Sequence, residues 1–206
     1  VSLTAIAGND KKRGQAGATE LLMNPWARSS SWVGGSIAGI KGPEAMRFNV
    51  AGIAETKQTG LTFSSVNWYS GSQIKSSALG FTQKVGDNDG VLGISLMSMN
   101  FGEFIQTTTD LPEGTGQNFK PSFYNIGVAY SRKFSKSING GILIRVVSES
   151  VANVSALGLA IDAGVQYKGG QNDRFKFGIS LRNVGDKMRF TGDGLSYRGT
   201  LNSGDQ

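Results

Sequence analysis

The chain has 206 residues, a formal net charge of +6, 38% hydrophobic residues, 30 glycines and 4 prolines. It contains no cysteine and no histidine, which excludes disulfides, thiol chemistry, Cys/His metal sites and a Ser-His-Asp triad. No stretch approaches the ~18 uninterrupted apolar residues of a spanning helix, and no basic run interleaves with aromatics in the manner of a nucleic-acid surface.

In chain order, Ala5-Ile6-Ala7 has the small-x-small form of a signal-peptidase site, with Leu3 and Ile6 as the tail of an apolar core. Residues 1–7 are therefore read as a signal-peptide remnant. Residues 8–59 form a second unit. It opens on Lys11, Lys12 and Arg13, continues through an apolar run from Ala16 to Met23, and meets Asn24-Pro25. A Gly/Ser/Ala-rich stretch from Ser29 to Gly42 precedes a short helix over Glu44–Phe48. This predicts a compact irregular segment with one or two short helices.

From residue 60 onward the pattern has period two. Leu157, Leu159, Ile161, Ala163, Val165 and Tyr167 share one parity; Gly158, Ala160, Asp162, Gly164, Gln166 and Lys168 share the other. Phe175, Phe177, Ile179 and Leu181 alternate in the same way with Lys176, Gly178 and Ser180. Such alternation denotes strands with one apolar and one polar face. Seven strands are predicted, at roughly 60–69, 73–85, 90–101, 123–134, 139–149, 156–168 and 174–184. Gly86-Asp87-Asn88-Asp89, Ser135-Lys136-Ser137 and Gly169–Asp173 read as tight links. Ser70-Gly71-Ser72 is short, 150–155 intermediate and 102–122 long; from Gly185 the chain becomes loop-like.

These strands exceed the usual mode of about 5–6 residues, and hairpins join them in series. The pattern predicts an all-β fold, a transmembrane antiparallel β-barrel with apolar side chains outward and polar ones inward. A soluble β-sandwich also alternates and is the competing architecture. Short turns on one side and most of the long loops on the other place the long loops outside the cell and residues 8–59 in the periplasm or lumen. Trp68, Tyr69, Phe101, Phe134 and Tyr167 stand near strand ends, as in an interfacial girdle. Lys84, Arg132, Lys133, Lys136, Lys168 and Arg174 read as a solvated rim, or as contacts to anionic lipid head groups. Bacterial single-chain barrels have even strand numbers, so an odd seven predicts further strands beyond Gln206 or an eighth strand around 187–199.

Three stretches carry a resemblance. Gly34-Gly35-Ser36-Ile37-Ala38-Gly39 followed by Glu44 to Ala54 resembles the opening of FadL-like outer-membrane proteins, where small residues lead into an Asn-Pro-Ala-Gly-Leu-Ala motif. Here Asn49, Val50, Ala51 and Gly52 occupy that motif, and Val50 replaces a proline that would pre-set the turn. Ala160 to Tyr167 and Gly178 to Gly185 are similar to later strands of the PorV/PorQ branch, the barrels associated with type IX secretion in Bacteroidota; Asn100-Phe101-Gly102-Glu103-Phe104 fits that branch too. The resemblance implies a 14-stranded barrel with about half its strands represented here, an N-terminal hatch, and a bacterial outer-membrane location.

The resemblance also implies a non-enzymatic role and no cofactor. The expected function is a component of the type IX secretion apparatus that binds secreted cargo or a large translocon or attachment-complex subunit. Membrane lipid and lipopolysaccharide are further expected contacts; nucleic acid is not. Loop 102–122 offers Phe104, Ile105, Leu111 and Phe119 as partner contacts, or as residues folding back over the barrel mouth. The alternative function is a channel for hydrophobic small molecules, against which Arg145, Glu149, Asp162 and Lys168 on the polar parity argue. Without histidine, a hydrolase would need Lys, Asp or Glu as its base; Asp162 is expected to pair with Arg145 or a neighbour instead. Asp87, Asn88 and Asp89 offer oxygens for Ca²⁺, with a plain turn as the simpler reading.

Overall fold

The computed structural model describes residues 15–32, 35–86 and 89–195. Residues 1–7, Lys11 to Arg13, Gly34, Asp87, Asn88 and the 196–199 part of the expected eighth strand lie outside the described residues. Seven long strands follow a run of short helical turns: β1 Thr59–Asn67, β2 Lys75–Val85, β3 Gly90–Asn100, β4 Ser122–Lys133, β5 Ile138–Val151, β6 Val154–Gly169 and β7 Phe175–Gly185. They form one antiparallel sheet in sequence order, each strand beside the next.

The predicted strands are present, but three details differ. The link at 150–155 is a tight turn, because Ser150 pairs with Ser155 and Val151 with Val154. Only 101–121 is therefore long among the links on its side. That link carries a small hairpin of its own, Phe104–Ile105 paired with Asn118–Phe119. Among the described residues no eighth strand joins the sheet: Met188–Arg189 instead pairs with Gln15–Ala16, and Thr191 bridges Ser155.

The sheet is not closed into a barrel, contrary to the sequence expectation; β1 and β7 are its two edges. Its concave side is filled. Residues 17–55 fill it and stand between the edges: Pro43 lies against Gly60 of β1, and the Ile37 carbonyl lies against Gly178 of β7. This segment contains 3₁₀ turns at Thr19–Leu22 and Val50–Glu55 and short helices α1 Ala27–Ser30 and α2 Ala45–Phe48. The predicted helix at 44–48 is α2.

Burial runs opposite to a water-soluble sheet. On β4, Phe123, Asn125, Gly127, Ala129 and Ser131 are buried, while Tyr124, Ile126, Val128 and Tyr130 are exposed. On β6, Ala160, Asp162, Gly164 and Gln166 are buried, while Leu157, Leu159, Ile161 and Val165 are exposed. The concave parity is small or polar because the segment 17–55 sits directly on it. Two apolar clusters lie there, one around Trp26, Met97, Phe123, Val147 and Met188, the other around Met46, Val50, Ile53, Val91 and Leu143. Of the expected girdle, Tyr69, Phe134 and Tyr167 are outward and exposed. Trp68 and Phe101 are not: both pack against the first cluster, and the Trp68 indole donates to Ser76 Oγ at 3.1 Å.

Candidate functional site

The junction between residues 17–55 and the concave wall carries the chain's densest polar chemistry. Asn49 is wholly buried at its centre. The residue ends α2 in an extended conformation, and its Oδ1 accepts from the Ala51 N–H at 3.2 Å, capping the 3₁₀ turn Val50–Glu55. Its Nδ2 lies 3.1 Å from the Ile37 carbonyl, 3.0 Å from that of Val165 on β6 and 3.2 Å from that of Ile179 on β7. This approach requires glycine on the wall: a Cβ on Gly164 would fall on Asn49 Oδ1. Val50, Ala51 and Gly52 are buried beside it, and a Cβ on Gly52 would meet the Ile40 carbonyl. All four residues of the sequence motif therefore meet the wall or their neighbours within residues 17–55.

A second cluster gathers three arginines about one carboxylate. Arg145 on β5 forms an ion pair with Asp162 on β6, and both side chains are almost fully buried. Arg145 Nη2 also donates to the Met46 carbonyl at 3.2 Å. The other Asp162 oxygen accepts from the Asn183 N–H at 2.6 Å. Asn183 has φ +57° and lies in a bulge of β7, where pairing skips from Leu181 to Val184. Arg182 Nη1 reaches the Arg47 carbonyl at 3.1 Å. Arg47 on α2 donates to the carbonyls of Met23 and, at 3.1 Å, Glu20. Burial foremost, then the charges of Arg145 and Arg182, lower the Arg47 guanidinium to about 9, with Asp162 acting the other way. The Arg145–Asp162 pair is the one expected from the strand parity.

The third cluster lies at the short-turn end. Glu55 pairs with Lys168, and stands 3.8 Å from both Lys41 and Lys133. Asn139 Nδ2 donates to it at 2.9 Å. Burial by itself raises the Glu55 carboxyl, but hydrogen bonds from Lys168 and Asn139 and the charges of Lys168 and Lys133 outweigh it and hold the group at about 2. Glu55 was not singled out in the sequence, since a lone acid at a helix end gives no signal of its partners.

The candidate partner residues stand apart from all this. Phe104, Ile105 and Leu111 are exposed, and Phe119 is half-buried. Phe104 and Phe119 stack with ring centroids 5.6 Å apart. A Glu103–Lys120 bridge of 2.6 Å staples the hairpin's base. The four residues thus lie on one projecting arm, and only Phe104 and Phe119 meet each other. Asp89 pairs with Lys84 at 2.7 Å. Among the described residues, no group of three or more acidic side chains is placed to hold a metal, and no helix is long and apolar enough to cross a membrane.

No protein-family model matches this chain, and no curated protein matches it at a significant level.

Proposed function

We propose that this sheet is a sector of a membrane-spanning β-barrel of the FadL-like kind, set in a bacterial outer membrane, with residues 17–55 as its luminal hatch. The observation that carries the reading is the inverted burial of the sheet. Leu61, Phe63, Leu92, Ile94, Ile126, Val128, Ile142, Ile144, Leu159 and Ile161 all stand exposed on one face. Burying such a side chain is worth about 1.5–3 kcal/mol, so a face this large is unfavourable in water, and apolar patches beyond about 600 Å² are rare on monomers. Its height suits lipid. The apolar parity from Leu157 to Tyr167 runs about 34 Å along the strand at ~3.4 Å per residue. A tilt of about 40° reduces this to about 26 Å, close to the ~25 Å apolar band of outer-membrane barrels. Exposed aromatics rim the short-turn end: Phe134, and Tyr167 edge-on to Phe175 at 6.4 Å. Further strands pairing with the edges β1 and β7 would close the circumference, as lipid demands.

Within that setting the chain acts as a binding component of a type IX secretion apparatus, without catalysis. The projecting arm supports this, since Phe104, Ile105 and Leu111 are presented on a stapled hairpin rather than packed on the wall. The closely fitted hatch supports it as well, because charged and hydrogen-bonded contacts occupy the centre of the wall where an open conduit would run. The arm would meet secreted cargo or a translocon or attachment-complex subunit. Deleting 105–118 is expected to leave the protein in the membrane and abolish cargo retention; unchanged retention would remove the arm from the mechanism.

A second reading, a channel for hydrophobic small molecules, has one specific observation in its favour. A cavity of about 320 Å³ lies between Thr19–Leu22 and the wall, lined by Leu21, Leu22, Val147, Leu159 and Met188. Purification in mild detergent separates the two readings: co-purifying secretion components favour the first, a bound lipid without them the second.

A further inference from the structure

The outward face has one place where its large side chains give way. On β5 and β6 the outward positions Gly140 and Ala163 are small, while their cross-strand neighbours are large. Ala163 lies between Ile142 and Leu181, and Gly140 between Arg132 and Val165. The result is an open trough of about 540 Å³, walled by Tyr130, Ile142 and Leu181 and ended by Phe134, whose ring lies over Gly140. Its length is apolar, but its short-turn end carries the exposed guanidinium of Arg132. Arg132 makes no ion pair among the described residues; Asp89, the acid whose field it reaches, is engaged by Lys84 at 2.7 Å.

We propose that this trough is a site for one anionic phospholipid, its acyl chain laid over Ala163 and against the Phe134 ring and its phosphate on Arg132. The inference rests on the membrane reading above. The chemistry selects the ligand on two counts. A groove floored by Ala163 accepts a methylene chain that a larger side chain there, level with its Ile and Leu neighbours, would exclude. A guanidinium binds phosphate through paired N–H donors, and the rim beyond it carries the exposed cations Lys136 and Arg174, with Asp173 beside the latter. On a smooth apolar face lipids exchange freely; a trough with a cation at one end fixes one of them.

The test is native mass spectrometry of the full chain extracted in mild detergent, with phosphatidylglycerol or phosphatidylcholine of identical acyl chains added singly. The expected result is one retained phosphatidylglycerol, preferred over phosphatidylcholine about tenfold, because the choline cation of the latter offsets the phosphate charge that Arg132 and the neighbouring cations attract. Arg132→Gln should erase the preference, and Lys75→Gln, an exposed cation at the opposite end of the sheet, should leave it intact. Ala163→Leu, which fills the trough, should reduce retention of both lipids. Equal retention of the two lipids by the unmodified chain, a preference that survives Arg132→Gln, or selection of lipid A over phosphatidylglycerol would overturn the site. A chain that stays monomeric in water without detergent overturns the membrane reading as well; a detergent-dependent chain with no lipid preference overturns the site alone.

Discussion

Asn49 is the residue on which the seating of residues 17–55, the proposed hatch, turns. Its one amide satisfies an N–H in the hatch and faces carbonyls from both the hatch and two wall strands. Asn49→Ala is expected to cost about 2–3 kcal/mol, the scale of buried polar groups left unpaired. Gly164→Ala should cost about 1–3 kcal/mol by overpacking, since its new methyl meets the Asn49 side chain. Combined, the two should cost less than their sum, because removing the amide relieves the clash. Protease cutting within 17–55, with the strands intact, reads each effect. Glu55 supplies a pH dependence. Its folded value of about 2 lies below the ordinary 4.5, so its stabilisation is complete above about 4.5 and is lost as pH falls through about 2. Hatch protection should hold from pH 7 to 5 and fail only in stronger acid, and Glu55→Gln should weaken it at neutral pH by leaving Lys168 buried beside no anion. The sequence disclosed these residues unevenly. The Asn49 motif was legible through its resemblance, and Gly164 could be placed on the polar parity. Strand periodicity fixes which face a residue occupies; it does not say which distant segment will press on that face.

At the scale of elements, the seven strands were legible because alternation over many residues is hard to mimic. What escaped notice lay where side-chain hydropathy stops reporting on the backbone. Ser150 and Ser155 read as a link, yet they pair, because ladder hydrogen bonds need no apolar side chain once a strand rises past the greasy band. The hairpin inside 102–122 was hidden among threonines and glycines for the same reason. Trp68 and Phe101 show the complementary error: position near a strand end gives depth along the wall, not which side the ring faces. The β7 bulge was invisible to an alternation count as well, although its cause is a nameable contact. Asp162 holds the Asn183 N–H and the Arg145 side chain at once. Asp162→Asn is expected to destabilise by about 3–5 kcal/mol, because Arg145 is then buried beside no anion. Amide exchange should rise first in β7, the edge strand.

At the scale of the whole molecule, lipid and water predict opposite fates for a charge on the outward face. Ile144 lies mid-sheet, flanked by Val128 and Ile161, and is 53% exposed. In a bilayer Ile144→Arg should cost about 2–4 kcal/mol, whereas at a water-facing position the change would stay within about 0.5 kcal/mol. Unfolding by urea from lipid vesicles measures it, and a neutral result would sink the membrane assignment. The meander has a temporal corollary too. Each strand pairs with the one synthesised just before it, so the wall grows by successive hairpins. Asn49 precedes all seven strands, yet two of its carbonyl partners, Val165 and Ile179, lie on the sixth and seventh. The contacts that seat Asn49 are thus complete only once the sixth and seventh strands are in place, however early in the chain the residue itself stands.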